Sequence, residues 1–338
     1  MKTKIVFLTL LSIVFVSCSS LSEKSKPECF IKRAALDVGS GSTKMKVANV
    51  DTCKNQISEI LFDDSVNIEF KESLAKSSRN VLGKRIYDKA LKELSILKEK
   101  ALALGATEIN GVATSAFRKA DNGRIFIKEI SQKLGLTIKV ISNDQEAQLA
   151  YWGAVDRLSL EEDEAVVWDI GGGSMQMISK DKEEFPTYLG EMASVGFKEM
   201  IISKLQNKSV SKINSPNPLG PITSLEAVKK AKDFAAKDVN EKMKSIISDR
   251  KVIGVGGVHY YSIRNQVGSD EYSSEDIDLA LQKRSNLSDK EIDSKYASTE
   301  ISNLALVTGY MKALNIKKVK AIKVNLADAL LVKPTRVF

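Results

Sequence analysis

A short phrase of aspartate, glycine and serine occurs twice in this chain, and each copy sits between two apolar runs. The first is Asp37-Val38-Gly39-Ser40-Gly41-Ser42-Thr43-Lys44-Met45, and the second is Asp169-Ile170-Gly171-Gly172-Gly173-Ser174-Met175-Gln176-Met177. In each, a strand-like run (Ala34 to Leu36; Ala165 to Trp168) ends on the aspartate. A dinucleotide fingerprint would need the glycine turn to open a helix. Here Lys44-Met45-Lys46-Val47-Ala48 alternates with period two, as a strand does. The phrase therefore predicts two strand–turn–strand hairpins with bare backbone N–H groups at their tips. Glycine allows close approach of an anion, and serine adds a hydroxyl donor. Two phosphate-gripping hairpins, one per half, predict two like-folded domains facing each other across a phosphate.

The chain has 338 residues, 43% of them hydrophobic and 28% charged, which suits a globular protein of about two domains. Lys2 and Lys4 precede an apolar run from Ile5 to Val16 and then Ser17-Cys18-Ser19-Ser20, the pattern of a secretory signal. Cys18 directly after it predicts a bacterial lipoprotein: a signal peptide over 1–17, lipidation at Cys18 and a polar tether over 18–30. The expected place is extracytoplasmic, anchored in a membrane by the N-terminal lipid. The formal net charge of +8 is modest; it fits a polyanionic small molecule, and no nucleic-acid partner is expected. A homodimer is left open. In an oxidising compartment Cys29 and Cys53 should pair: a turn centred on Ser40 and Gly41 puts them nearly opposite each other at the open end of the first hairpin.

Residues 31–158 read as the first domain and 159–338 as the second. Helical spacing predicts a helix over 84–104 and another over 125–134, with strands at 57–70, 109–112 and 137–141. Ser142 and Gln145 form a capping box that opens a helix from about Asp144 to Leu158. The second half should carry helices over 196–205, 224–248 and 301–314, and strands at 251–253 and 319–324. The loop Asn214 to Pro221 holds four of the six prolines and predicts no regular structure. Gly254-Val255-Gly256-Gly257-Val258-His259 is a further glycine turn after a strand. His259, the only histidine, reads as packing, and one histidine excludes a multi-histidine metal site.

The paired hairpins, this glycine turn and the run Ala113-Thr114-Ser115-Ala116-Phe117-Arg118-Lys119-Ala120-Asp121-Asn122 together resemble the exopolyphosphatase/guanosine pentaphosphate phosphatase (Ppx/GppA) family. The resemblance covers about residues 31–332. It implies an α/β fold of two ribonuclease-H-like domains facing a central cleft, as in the actin–sugar kinase–Hsp70 superfamily. It also implies hydrolysis of a terminal phosphoanhydride of polyphosphate or a similar phosphorylated small molecule, usually with Mg²⁺. Glu146 takes the place of the family's catalytic glutamate, whose role is to activate the attacking water. Arg118 matches a phosphate-contacting arginine. Gly39, Ser40, Ser42, Gly171, Gly172, Gly173 and Ser174 match the phosphate loops. Asp37 and Asp169 could hold Mg²⁺ directly or through water, or cap their turns by Asx hydrogen bonds.

Several matched positions depart from the family pattern. Gly41 stands for an asparagine, and Gln145 and Gln148 replace a glutamate and an arginine at the helix start. Gln176 replaces a glutamate implicated in metal binding, and Met175 a threonine. Glutamine keeps an oxygen but loses the charge, so Mg²⁺ affinity should fall. With Glu146 retained, the expectation is a slower or differently selective hydrolase, suited to polyphosphate outside the cell. The competing expectation is a degenerate member that binds phosphorylated ligands at the membrane surface without turning them over.

Overall fold

The structure, a computed structural model, describes residues 29–338. The expected signal peptide, the lipidation site Cys18 and most of the tether lie outside the described residues. No helix among those described is long and apolar enough to cross a membrane.

Both expected hairpins form. β1 (Phe30–Val38) pairs antiparallel with β2 (Ser42–Asp51), Asp37 standing opposite Lys44. β3 (Gln56–Asn67) adds to the far edge of β2 through two register shifts. The predicted strand to Phe70 stops short: Phe70 is fully buried and begins a short helix, α1 (Phe70–Ala75). α2 (Lys84–Ala103) buries Ile86, Ala90, Leu94, Leu97 and Ala101 on one stripe. β4 (Glu108–Ala113) then lies parallel to β1, α3 (Ser115–Lys119) and α4 (Gly123–Leu134) follow, and β5 (Thr137–Val140) closes the sheet. The strand order is β3-β2-β1-β4-β5.

α5 (Asn143–Leu158) opens on the expected capping box, with Ser142 accepting from the Gln145 N–H and Gln145 accepting from the Ser142 N–H. It is buried on two sides. Leu149 joins the apolar cluster against the first sheet, while Ala147, Tyr151, Ala154 and Val155 join the one against the second. β6 (Ala165–Ile170) and β7 (Met175–Ser179) make the second hairpin, with Asp169 opposite Gln176, and β8 (Thr187–Gly190) extends it. α6 (Ser194–Met200) starts two residues earlier than expected and widens into a π turn over Ile201–Leu205.

The helix expected over 224–248 is two. α7 (Gly220–Asp238) ends where the buried Val239 takes an extended conformation, and Asn240 caps α8 (Glu241–Asp249) by accepting from the Met243 N–H. β9 (Lys251–Val255) lies parallel to β6. The next stretch, with no predicted elements, contains α9 (Arg264–Val267), β10 (Glu271–Ser273), α10 (Ser274–Arg284) and α11 (Asp289–Ile292). α12 (Ala297–Ala313) runs through the core, and β11 (Lys318–Ala321) lies parallel to β9. The second sheet has the order β8-β7-β6-β9-β11-β10, the first sheet's topology plus one edge strand.

One boundary is redrawn. α13 (Leu326–Val332), expected within the second domain, packs on β1, β2 and α5 of the first. Its Leu326, Ala327, Leu330 and Leu331 are buried with Ala35, Ala48 and Leu149. A buried ion pair fixes it there: Lys46 Nζ meets both carboxylate oxygens of Asp328 at 2.6 and 2.7 Å. Arg33 donates to the Val332 carbonyl, and Gly153 admits the helix, since a Cβ there would lie 3.3 Å from Asn325 O. Cys29 and Cys53 are joined in the expected disulfide, their Cα atoms 5.3 Å apart.

Candidate active site

Each hairpin tip is built the same way. The first glycine N–H turns inward to close the loop: Gly39 donates to Ser42 O at 3.0 Å and Gly171 to Ser174 O at 2.9 Å. These two glycines shape the turn and do not offer a donor to a ligand. The N–H groups of Ser40, Gly41, Gly172 and Gly173 make no hydrogen bond among the described residues. The carbonyls behind them are tied back. Ser40 O and Gly41 O accept from Lys71, Ile68 and Glu69 at the start of α1, and Gly172 O accepts from Val195 at the start of α6. Each tip thus presents two free donors on a held loop, a concave nest suited to an anion. The hydroxyls of Ser40, Ser42 and Ser174 border the nests.

The two hairpins are close enough for the Lys44 charge of the first to act on Asp169 of the second. A cavity of about 310 Å³ is lined by Lys44 of the first hairpin and by Gly256 and Gly257 after β9. Gly256 is pressed against the second hairpin: at φ +82°, a Cβ there would come within 2.2 Å of Asp169 Oδ1. Ser65, Tyr260, Tyr261 and Lys323 complete much of the lining, and Lys323 is held by Asp63 at 2.9 Å.

Asp37 and Asp169 both reach the cleft, and neither carboxylate caps its loop. Asp37 Oδ2 lies 3.4 Å from Lys44 Nζ. Burial pushes its carboxyl above the usual range, with the Lys44 charge opposing. Asp169 is pushed up to about 6, again by burial, while the Lys44 ammonium and the amide of Gln176 pull it back and the Glu146 charge adds to the rise. The charges of Lys44 and Glu146 therefore both act on Asp169.

Glu146 sits in the first turn of α5, where the helix dipole favours an acid. Its partner is Arg118: Nη2 lies 2.7 Å from Glu146 Oε2, and Nη1 donates to the Ile141 carbonyl at 3.0 Å. The arginine expected to grip phosphate thus also aims the carboxylate expected to activate water. Two of its five N–H donors are committed, leaving others for a phosphate oxygen.

The resemblance implies Mg²⁺, and the donors present do not fit a divalent ion held by the protein. Such an ion wants carboxylate oxygens in near-octahedral order. Here Asp37 faces an ammonium, Asp169 faces an amide where a glutamate would serve, and Glu146 faces a guanidinium. Among the described residues, the one trio of acid and sulfur ligands within 4.8 Å is Cys29, Asp51 and Cys53, whose sulfurs are bonded to each other.

His259 is buried beneath the site. Its Nδ1 lies 2.6 Å from the Tyr272 hydroxyl, its ring packs on Trp168, and burial lowers it to about 3, so it stays neutral. Packing is its role. Lys44 is a site residue to which the sequence pattern assigns no role. Its signal was there: the residue opposite an aspartate across a tight hairpin must share that aspartate's face.

Residues 46–204 match the profile of the Ppx/GppA phosphatase family. A bifunctional 3-dehydroquinate synthase/phosphatase of Fusobacterium nucleatum is 27% identical over 317 residues, which cover 88% of this chain and 41% of that protein. The chain thus spans about two fifths of that relative's length. Among solved structures, the type II variant of the Aquifex aeolicus Ppx/GppA phosphatase superposes with a TM-score of 0.73 at 15% identity, covering 91% of this chain and all of that one. An exopolyphosphatase from Cytophaga hutchinsonii gives 0.60 at 14% identity over 89% and 96% of the two chains.

Proposed function

The chain belongs to the Ppx/GppA phosphatase family, and from that premise we propose that it is a phosphohydrolase releasing terminal orthophosphate from polyphosphate or a related phosphoanhydride. One observation carries this reading most: two hairpin tips have free N–H groups, and the charges of Lys44 and of the arginine-held Glu146 at a helix start both act on Asp169 of the second hairpin. The terminal phosphoryl group would lie between the tips, taking hydrogen bonds from Ser40, Gly41, Gly172 and Gly173. Glu146 accepts a proton from a water in line with the scissile bond. The water oxygen bonds to phosphorus as the bond to the bridging oxygen breaks, and the shortened chain leaves with that oxygen. Arg118 fixes the direction of Glu146 and offers its remaining N–H groups to the charge that develops.

Phosphatases of this family are typically metal-dependent. No step here is assigned to a metal, because the donor set does not suit one. If Cys18 is lipidated as its flanking sequence suggests, the substrate is met outside the cytoplasm, which favours polyphosphate over cytoplasmic nucleotides.

The test is orthophosphate release from long-chain polyphosphate, with and without divalent ions, by wild type and Glu146→Gln. Loss of general-base action should lower the rate by about 10²–10⁴-fold. No release under any condition would refute hydrolysis. It would leave the second reading, a binder without turnover, which the replacement at Gln176 and the closed Arg118–Glu146 pair favour.

A further inference from the structure

Two lysines two residues apart on one face of β2 are held in opposite ways. Lys46 Nζ sits 2.6 Å from Asp328, and both side chains are almost sealed, 4% and 3% exposed. Lys44 Nζ stands 3.4 Å from Asp37 with its side chain 44% exposed. The first pair is closed and structural. The second is loose and opens on the cavity that Gly256, Gly257, Tyr260 and Lys323 also line. An ammonium there keeps donors free for an incoming oxygen.

Its surroundings give it a particular task. The second hairpin places Gln176, not a carboxylate, across from Asp169, and Glu146 is taken by Arg118 at 2.7 Å. Of the three acids, Asp37 and Glu146 thus each face a cation of the protein, and Asp169 faces an amide. We propose that Lys44 supplies, on a tether, the positive charge at the terminal phosphate that a divalent ion would otherwise bring, so that this chain binds its phosphoanhydride substrate without a metal. The inference rests on the phosphohydrolase reading. It adds Lys44 to the machinery and makes Gln176 its counterpart: with a cation built into one hairpin, a third carboxylate in the other is not needed.

The experiment uses the protein freed of metal with EDTA. Calorimetry with tripolyphosphate should give the same Kd in EDTA and in Mg²⁺. Lys44→Met should weaken binding by about 10- to 100-fold, the loss of one charged hydrogen bond, and Lys44→Arg should restore most of it. Mn²⁺ alone, followed by the paramagnetic resonance of the free ion, should not be captured by wild type. It should be captured by Gln176→Glu, which also serves if the lysine variant fails to fold. Capture of Mn²⁺ by the wild type, or tripolyphosphate binding that vanishes in EDTA, overturns the assignment. Hydrolysis that requires Mg²⁺ defeats it too, while leaving the phosphohydrolase reading intact. Metal-free binding without any release of orthophosphate does the reverse.

Discussion

The two hairpins share a phrase, a topology and a way of holding their loops, yet they are secured by different chemistry. Across the first sheet the row facing the cleft reads Asp37, Lys44, Ser65; across the second it reads Asp169, Gln176, Leu189. The first row is polar throughout and contains a cation. The second has none and ends on an exposed leucine. Behind the first hairpin lie a buried ion pair and a disulfide. Behind the second lie Trp168, His259 and the glycine turn. A duplicated backbone can thus keep its loop geometry while one copy specialises in charge and the other in close packing.

The largest effect should come from breaking the anchor of the first hairpin. Lys46→Met strands Asp328 as an unpaired buried charge, and about 3–5 kcal/mol of stability should be lost in denaturant unfolding. The double change Lys46→Met with Asp328→Leu should recover much of it, because the site would then be apolar throughout. Next is the disulfide: reduction should cost about 3 kcal/mol, read as a lower melting temperature and two new titratable thiols. Recovery of the thiols with unchanged melting would mean that the ion pair alone holds this hairpin.

The matching break in the second hairpin is Gly256→Ala. Its methyl would meet Asp169 Oδ1 at 2.2 Å in a backbone conformation that side chains rarely adopt. A loss of about 1–3 kcal/mol is expected, with tripolyphosphate affinity falling in the same variant. The smallest effect is electrostatic. Asp169 titrates near 6 in the folded chain against an ordinary 3.8, so its ionised form costs stability above pH 6 and its protonated form costs none below about 4. Asp169→Asn should therefore raise the melting temperature at pH 8, and the gain should fade as pH falls from 6 to 4. A gain that persists at pH 4 would mean burial is not what raises this carboxyl.

Much of the fold was legible where local rules govern. The hairpins follow from period-two alternation around glycine turns, the capping box at Ser142 and Gln145 forms as read, and the hairpin register places Cys29 beside Cys53. Reading failed where distant contacts override local preference. The break at Val239 and Asn240 is set by burial of Val239 and a new cap. The small β10 gains its strand character only by pairing with β11. α13 carries no mark in its sequence of which sheet it will cover.

The same division holds at the site. Residue types and order alone pointed to the two glycine-rich turns as anion loops, while Glu146, Arg118 and the missing carboxylate at Gln176 stood out only through the family resemblance. Who faces whom was decided by the tertiary structure. Hydrogen-bond partners across the cleft come from segments far apart in the chain, and a carboxylate's role depends on its nearest cation and on how much water is removed around it. Sequence spacing encodes neither. That is why Asp37 and Asp169, alike as letters, end beside an ammonium in one hairpin and an amide in the other.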